Sequence, residues 1–228
     1  MCGRFIFFEV DKIEERFDAI IEKTLNFSPN YNIYPGQEVP VIIKEENFNK
    51  VKLMKWGLIP HWVKNLDEFK PFINIRSDSL LTKPNFYNFL INRRCIVPSN
   101  GFYEWKKVKK TKIPYFISIE NNRLFSFAGI YDIYKNNERE ILSFAIITTE
   151  PNEKIKQIHE RMPVILDREG EKAWLDTGYE NHKNLIKFFK PFPEDLMNIF
   201  EISNLVNNPE NNFEELILPY KKEKGELF

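Results

Sequence analysis

A cysteine at position 2 has the most distinctive chemistry in this sequence. If Met1 is removed, Cys2 carries a free α-amine and a thiol on adjacent carbons. Such a pair reacts with an aldehyde in two steps, because the amine forms a Schiff base and the thiol then closes a thiazolidine ring. Reference pKa values of about 7.7–8.0 for an α-amine and about 8.5 for a thiol leave both groups near their nucleophilic forms at neutral pH. The alternative is a cysteine that follows the start codon by chance.

Three other polar residues stand where an acid, a base or an amide could assist such a nucleophile. Glu104 lies within an aromatic run, where burial raises the pKa of a carboxyl group and suits a general acid or base. His159 follows a short predicted helix, a position suited to proton transfer beside an anion. Asn74 alternates with Arg76 and Asp78 on one face of an extended segment. Each has a structural alternative: a carboxylate in solvent or paired with a lysine, a structural histidine, and a solvated strand face.

Two further patterns are compatible with nucleic-acid binding. Trp56 and Trp62 frame a loop rich in aromatic and turn residues, and they either fill the core or form a platform for unstacked bases. A lysine-rich hairpin tip at 106–112 is either a solvated turn or a phosphate contact. The overall charge does not decide the matter, since Lys+Arg and Asp+Glu are equal at 33 each and a polyanion responds to the distribution of charge.

Other classes of protein are disfavoured. Two cysteines do not form a disulfide framework, no signal peptide is recognisable, and the apolar runs fall far short of the roughly 20 residues of a membrane span. We therefore expect a cytoplasmic protein without membrane partners. Three histidines and two cysteines lie far apart in sequence, and no phosphate loop or dinucleotide fingerprint is present. We expect no metal and no nucleotide cofactor.

Short strands are the main elements that must position these residues. The apolar run at 3–8 predicts a buried strand that anchors Cys2 in the core. Further strands are predicted at 39–43, 51–54, 72–78, 94–98, 101–105, 115–119, 124–130, 141–148, 199–206 and 216–220. Helices are predicted over 11–21, over 84–91, after Pro151 and from Asp167 to Leu175. Successive hairpins interleaved irregularly with helices predict an α+β fold of mostly antiparallel sheets. Because no linker divides the chain, we expect one domain over 1–220 and a frayed tail at 221–228.

Six short motifs, in order, resemble the SOS-response-associated peptidase (SRAP) family of abasic-site-processing proteins. They are Met-Cys-Gly-Arg-Phe at 1–5, Tyr-Asn-Ile-Tyr-Pro at 31–35, Trp-Gly-Leu-Ile-Pro and the next Trp at 56–62, Asn-Ile-Arg at 74–76, Gly-Phe-Tyr-Glu-Trp at 101–105, and His-Glu-Arg-Met-Pro at 159–163. Val-Asn at 206–207 and Glu-Leu-Ile at 215–217 also fit. Each motif alone is weak, but the six together span nearly the whole chain.

The resemblance implies a compact fold with a barrel-like β core, flanking helices and a positively charged groove for single-stranded DNA. It implies an enzyme that captures abasic sites covalently through Cys2. It also implies removal of Met1, for which the family has been proposed to act as its own peptidase, and lyase-like Schiff-base chemistry. By resemblance, Asn74 holds the amine or sugar, Glu104 exchanges protons with the amine and the carbinolamine, and His159 assists opening of the sugar ring.

The resemblance also implies a set of DNA contacts. Arg4, Arg76 and Arg161 bind flanking phosphates, for which guanidinium groups are well shaped. Trp62 and the loop around Pro40 wedge or stack against bases. The expected partner is single-stranded DNA containing abasic sites, bound by a monomer at damaged sites in a bacterial nucleoid.

Two departures from the family pattern follow Asn74. Ile75 stands where alanine is common, and Asp78 stands where the family usually has glutamate. The role of Asp78 is open, because its shorter side chain reaches any hydrogen-bond partner differently. Two other functions remain as alternatives: a cysteine peptidase that acts on other proteins, with Cys2 as nucleophile and His159 as base, and a non-catalytic single-stranded DNA-binding module.

Overall fold

The structure is a computed structural model that describes residues 2–120, 123–137, 139–176 and 182–220. Met1 and the predicted tail at 221–228 lie outside the described residues. The strands are β1 Phe5–Phe7, β2 Ala19–Ile20, β3 Asn30–Ile33, β4 Glu38–Glu45, β5 Phe48–Trp56, β6 Asn74–Arg76, β7 Arg94–Ser99, β8 Gly101–Val108, β9 Thr111–Ile119, β10 Phe125–Lys135, β11 Glu140–Thr149, β12 Met162–Pro163, β13 Ile165–Leu166 and β14 Met197–Glu201. The α-helices are α1 Ile13–Phe17, α2 Ser77–Thr82, α3 Pro84–Asn92, α4 Glu153–Lys156 and α5 Arg168–Leu175. Short 3₁₀ helices occupy Val10–Lys12, His182–Phe188, Glu194–Leu196, Asn204–Asn207 and Glu214–Ile217.

Five strands close into a barrel. Strands β11, β10, β7, β4 and β5 pair in that order as antiparallel neighbours. Closure comes from a parallel pairing of β5 with β11, in which Trp56 lies opposite Phe144. Strands β2 and β6 add parallel pairings to β5 and β11, and β12 and β13 add antiparallel ones to β11 and β10. This arrangement confirms the predicted α+β fold with a barrel-like, mostly antiparallel core.

A second sheet, in the order β14-β9-β8-β1-β3, carries the N-terminal strand. All three residues of β1 are buried, and the Phe5 ring contacts Trp56 and Phe127 at centroid distances of 5.0 and 5.9 Å. Burying a phenylalanine side chain contributes about 1.5–3 kcal/mol, so β1 is firmly attached to the barrel. Cys2 therefore precedes a strand anchored in the core, as the sequence predicts.

Helix α1 is shorter than the sequence pattern indicates. It ends at Phe17, because Asp18 adopts a left-handed backbone conformation with a φ of 48°, which aspartate tolerates better than most residues. Ile20 then belongs to β2, and 47% of its surface is exposed. The helical prediction over 11–21 is therefore wrong after Phe17.

Three other predicted strands also differ. The one at 199–206 ends at Glu201, and Asn204–Asn207 is a 3₁₀ helix. The extended segment at 72–78 ends at Arg76, where α2 begins, so Asp78 is helical and does not continue the face of Asn74 and Arg76. The segment at 216–220 is not a strand, since Glu214–Ile217 is a 3₁₀ helix and only Pro219 makes a β-bridge, to Ile202. None of the helices in the described ranges is long and apolar enough to cross a membrane.

Candidate active site

Cys2 is fully buried and is held by its backbone. The side-chain amide of Asn74 donates a hydrogen bond to the Cys2 carbonyl oxygen at 2.7 Å. The Cys2 thiol lies 3.8 Å from the carbonyl oxygen of Arg4, which it faces as a donor. Asn74 reaches Cys2 because β6 pairs with β11 of the barrel, with Asn74 opposite Ile146. The first residue of β6 thus meets the segment that precedes β1, at the backbone of Cys2.

Glu104 lies next to Cys2 because β8 pairs with β1, with Phe102 opposite Phe5. Its side chain is nearly inaccessible, at 2% exposure. Burial raises the pKa of Glu104, and the charge of His159 opposes that shift. Burial, and then the negative charge of Glu104, raise the pKa of the Cys2 thiol far above its usual range. The thiol of the chain as described is therefore protonated at neutral pH.

His159 is oriented by its own backbone and by Arg161. The His159 N–H donates to Ile155 at the end of α4, at 2.8 Å. The Nδ1 atom of His159 accepts a hydrogen bond from the backbone N–H of Arg161 at 3.1 Å. An imidazole nitrogen that accepts cannot carry the proton, so the neutral ring has its proton on Nε2. His159 can therefore donate or exchange a proton through Nε2.

An open cleft of about 510 Å³ adjoins Glu104 and His159. It is lined by Arg4, Glu104, Trp105, Lys112, His159 and Asn207. One wall is fixed by Arg4, whose guanidinium donates to Asn32 Oδ1 at 2.6 Å and to the Val206 carbonyl at 2.9 Å. Asn207 accepts a hydrogen bond from the Trp105 indole at 2.8 Å. Two proton-exchanging groups and two cations thus line one accessible space.

Asn32 and Asn207 received no role from sequence analysis. Asn32 donates to the carbonyls of Val206, Asn208 and Asn211, and so attaches the Asn204–Asn207 turn to β3. These partners lie as many as 179 positions apart in sequence, so no local pattern could reveal them. The available signal was their position inside the motifs at 31–35 and 206–207.

Arg161 and Arg76 form a separate cationic pair beside His159. Arg161 is 9% exposed and donates to the Thr148 carbonyl at 2.6 Å, while its Nε has no hydrogen-bond partner among the described residues. Burial and the charge of Arg76 lower the pKa of Arg161. Arg76 is exposed and forms an ion pair with Asp78 at 3.1 Å. The two arginines thus provide one buried and one exposed cation for an anionic ligand.

Trp62 and Pro40 differ in their placement. The Trp62 ring is 39% exposed and stacks on Phe89 at a centroid distance of 5.2 Å, so one of its faces is supported by the core. Trp56, in contrast, is a core residue. The expectation of a loop around Pro40 is wrong, because Pro40 is buried inside β4 opposite Leu53. A proline is tolerated there because β4 pairs with β7 only at Ile42, so no ladder hydrogen bond to β7 is lost.

Comparisons with known proteins agree with this geometry. Residues 1–209 match the model of the family described as SOS response associated peptidase (SRAP). The chain is 41% identical over 223 residues to abasic site processing protein YoqW of Bacillus subtilis (strain 168), covering 95% of this chain and 99% of that protein. It is 33% identical over 235 residues to abasic site processing protein HMCES of Rattus norvegicus, covering 85% and 65%.

A crystal structure of a protein from Bacteroides thetaiotaomicron superimposes with a TM-score of 0.85 at 27% identity, covering 96% of this chain and 100% of that one. The fold and the sequence match therefore extend over the same, nearly complete length. The chain belongs to the SOS response associated peptidase (SRAP) family.

Proposed function

We propose that this protein processes abasic sites in DNA. After removal of Met1, Cys2 captures the ring-opened sugar in single-stranded DNA as a covalent thiazolidine. The observation that carries the proposal is the position of Asn74 and Glu104 beside Cys2, with His159 beside Glu104 at an open cleft. The names of the relatives supply the substrate class, since YoqW and HMCES are both called abasic site processing proteins.

The reaction requires opening of the sugar ring, formation of a Schiff base and closure of the thiazolidine ring. The sugar first opens from its hemiacetal to expose the C1′ aldehyde. The Cys2 α-amine adds to that aldehyde, giving a carbinolamine, which loses water to form a Schiff base. The Cys2 thiol then adds to the C=N bond, and its proton passes to the nitrogen. The crosslinked product has the combined mass of protein and DNA less one water, and ring closure removes the Schiff base before it can promote strand breakage.

Removal of Met1 changes the electrostatics at Cys2. A buried, protonated thiol is a weak nucleophile. Hydrolysis of the Met1–Cys2 bond consumes one water, releases methionine and leaves a free amine on Cys2. The protonated form of this amine favours the thiolate because opposite charges attract over one carbon–carbon bond. The buried Oδ1 of Asn74, which has no partner among the described residues, is an acceptor for this amine. We expect the chain to perform the cleavage on itself.

Glu104 and His159 divide the proton transfers. A carboxyl group whose pKa is raised by burial can accept a proton from the amine and return it to the carbinolamine hydroxyl as it leaves. His159, with its proton on Nε2, assists opening of the sugar ring. Arg4, Arg76 and Arg161 bind flanking phosphates, and the exposed Trp62 face stacks on a base. The substrate is DNA in the cytoplasm of a bacterium, bound by a monomer.

Incubation with an oligonucleotide that contains one abasic site tests the proposal. Wild-type protein should form a crosslink that survives denaturing electrophoresis, and Cys2→Ala should form none. Cys95→Ala is the matched control, because Cys95 is an equally buried cysteine on β7 and should leave the crosslink intact. A stable crosslink in Cys2→Ala contradicts the proposal.

A second experiment distinguishes the proposal from the peptidase and from the non-catalytic DNA-binding module. A variant with one extra residue that blocks the α-amine of Cys2 should bind DNA but not crosslink. A peptidase that acts on other proteins needs no free α-amine and would cleave peptides in trans. A DNA-binding module without catalysis would bind intact and abasic strands equally, and its binding would not change when the α-amine of Cys2 is blocked.

A further inference from the structure

The tip of the β8–β9 hairpin carries a cluster of uncompensated positive charge. This lysine hairpin, residues 106–112, contains five lysines, Lys106, Lys107, Lys109, Lys110 and Lys112. No carboxylate in the described part of the chain forms an ion pair with any of them. Lysines on two other hairpins behave differently, since Lys50 pairs with Glu45 and Lys135 pairs with Glu140.

Two of these lysines face each other directly. Lys107 and Lys112 are cross-strand partners in the register of β8 and β9, and both are exposed. Like charges in opposite positions destabilise a sheet by a few tenths of a kcal/mol to about 1 kcal/mol. An anion between the two ammonium groups would remove that repulsion. The hairpin is therefore more stable when it binds a polyanionic ligand than when it is free.

The lysine hairpin continues from the candidate active site. Lys112 lines the same cleft as Arg4, Glu104 and His159. Arg76 and Arg161 instead line a second depression with Glu150, Glu153, Lys156 and Glu160. The segment from His159 to Arg161 lies between the two depressions and contributes to both. Cations thus flank the reacting groups on two different sides.

We infer that the lysine hairpin is a second phosphate-binding surface, which takes the phosphodiester groups of the DNA strand on one side of the abasic site, while Arg76 and Arg161 take those on the other. The inference rests on the proposed function, because it assigns the path of the same substrate. Since each neutralised phosphate of a single strand contributes about −0.7 to the slope of log K against log salt, the lysines also set the salt dependence of binding.

The test compares Lys107→Gln/Lys112→Gln with wild type on oligonucleotides that contain a tetrahydrofuran analogue of the abasic site. The analogue has no aldehyde, so the measurement is independent of the crosslinking chemistry. One oligonucleotide extends only 5′ of the analogue and the other only 3′. For one of the two, we expect the salt slope to fall in magnitude by about 1.4 and affinity in about 0.1 M salt to fall roughly tenfold to thirtyfold.

Lys50→Gln/Lys135→Gln is the matched control, because it removes the same charge from two other hairpins. Any change in its affinity or salt slope should be small and should be the same for the 5′ and the 3′ oligonucleotide. Equal losses in the test and control variants, or equal losses on both oligonucleotides, overturn the inference. Thermal melting verifies folding, and the test variant should melt no lower than wild type because a like-charge repulsion is removed. Failure of the proposed function gives a different result, namely normal binding of the analogue without a crosslink to a true abasic site.

Discussion

The Asn74 side-chain amide donates to the Cys2 carbonyl oxygen at 2.7 Å, across 72 positions of the chain. Asn74 begins a strand added to the barrel, and Cys2 precedes a strand of the second sheet. One hydrogen bond therefore joins the two sheets at the candidate nucleophile. The other amide atom, Oδ1, is buried and has no partner among the described residues. Burying a polar atom without a partner costs about 1–3 kcal/mol, which is characteristic of a site that completes its hydrogen bonds with a ligand or a processed terminus.

Asn74→Ala should slow crosslinking more than it weakens DNA binding. The substitution removes the donor to Cys2 and the acceptor for the amine, and loss of about 1–3 kcal/mol of transition-state stabilisation slows a reaction roughly fivefold to more than a hundredfold. The measurement is a quenched time course of crosslinking at saturating DNA, with the affinity for the tetrahydrofuran analogue determined separately. Asn198→Ala, at an exposed position of β14, is the control. A loss confined to affinity would show that Asn74 only binds DNA.

Glu104→Gln should make the protein more stable at neutral pH while slowing crosslinking. Because burial raises the pKa of Glu104 in the folded state, the folded chain binds more protons than the unfolded chain between the ordinary glutamate pKa of about 4.3 and the raised value. The stability that Glu104 contributes is therefore complete below the ordinary pKa and is lost as pH rises through the raised one. Glutamine is neutral throughout and avoids this loss.

Urea denaturation from acidic to neutral pH measures the difference in stability between wild type and Glu104→Gln. The free energies of unfolding of wild type and Glu104→Gln should converge at low pH and separate in favour of the variant as pH rises. Glu38→Gln, at an exposed position of β4, should show no such separation. A variant less stable than wild type at neutral pH would mean that the Glu104 charge is compensated in the fold, and the acid–base assignment would lose its physical basis.

His159→Asn and His159→Ala should distinguish two roles of His159, the positioning of Arg161 and the transfer of a proton. The asparagine amide oxygen lies close to the position of Nδ1 and can accept from the Arg161 N–H, so His159→Asn should preserve the local backbone and DNA binding. Neither variant can exchange a proton at Nε2, and general acid–base groups contribute typically a hundredfold or more. Both should therefore crosslink at least a hundredfold more slowly in a quenched time course. Recovery of the wild-type rate by asparagine would show that His159 acts only by positioning Arg161.

The sequence predicts three hairpins of the two sheets well, because the signals for a hairpin are local. Alternating apolar residues and polar turns define the β4–β5, β8–β9 and β10–β11 hairpins, and each hairpin is confirmed. The closure of the barrel has no such signal. It depends on the parallel contact between β5 and β11, whose residues Trp56 and Phe144 are far apart in the chain.

Motifs identify the residues of the candidate site. They do not predict the position of a residue that depends on the local backbone conformation. Asp78 continues the alternation of Asn74 and Arg76 in sequence, yet α2 begins at Ser77 and removes it from their face. Pro40 resembles a loop residue, but the missing N–H is harmless because β7 has no residue in register with Pro40 on that side of β4. The wall made by Asn32 and the Asn204–Asn207 turn depends on contacts between the two ends of the described chain. Residue type and spacing cannot specify such contacts.

Asp78→Asn should strengthen DNA binding. Asp78 pairs with Arg76 at 3.1 Å, and both side chains are largely exposed, so the pair itself contributes only about 0.2–1 kcal/mol. A phosphate that binds Arg76 must displace or repel this carboxylate. Its removal should therefore increase the affinity for the tetrahydrofuran oligonucleotide by up to about fivefold, with the gain shrinking as salt screens both interactions.

Fluorescence anisotropy at two salt concentrations measures the change in affinity caused by Asp78→Asn. Glu140→Gln, which removes the exposed partner of Lys135, is the control for net charge. Weaker binding by Asp78→Asn would show instead that Asp78 holds Arg76 in its binding orientation, and Asp78→Glu should then restore the affinity.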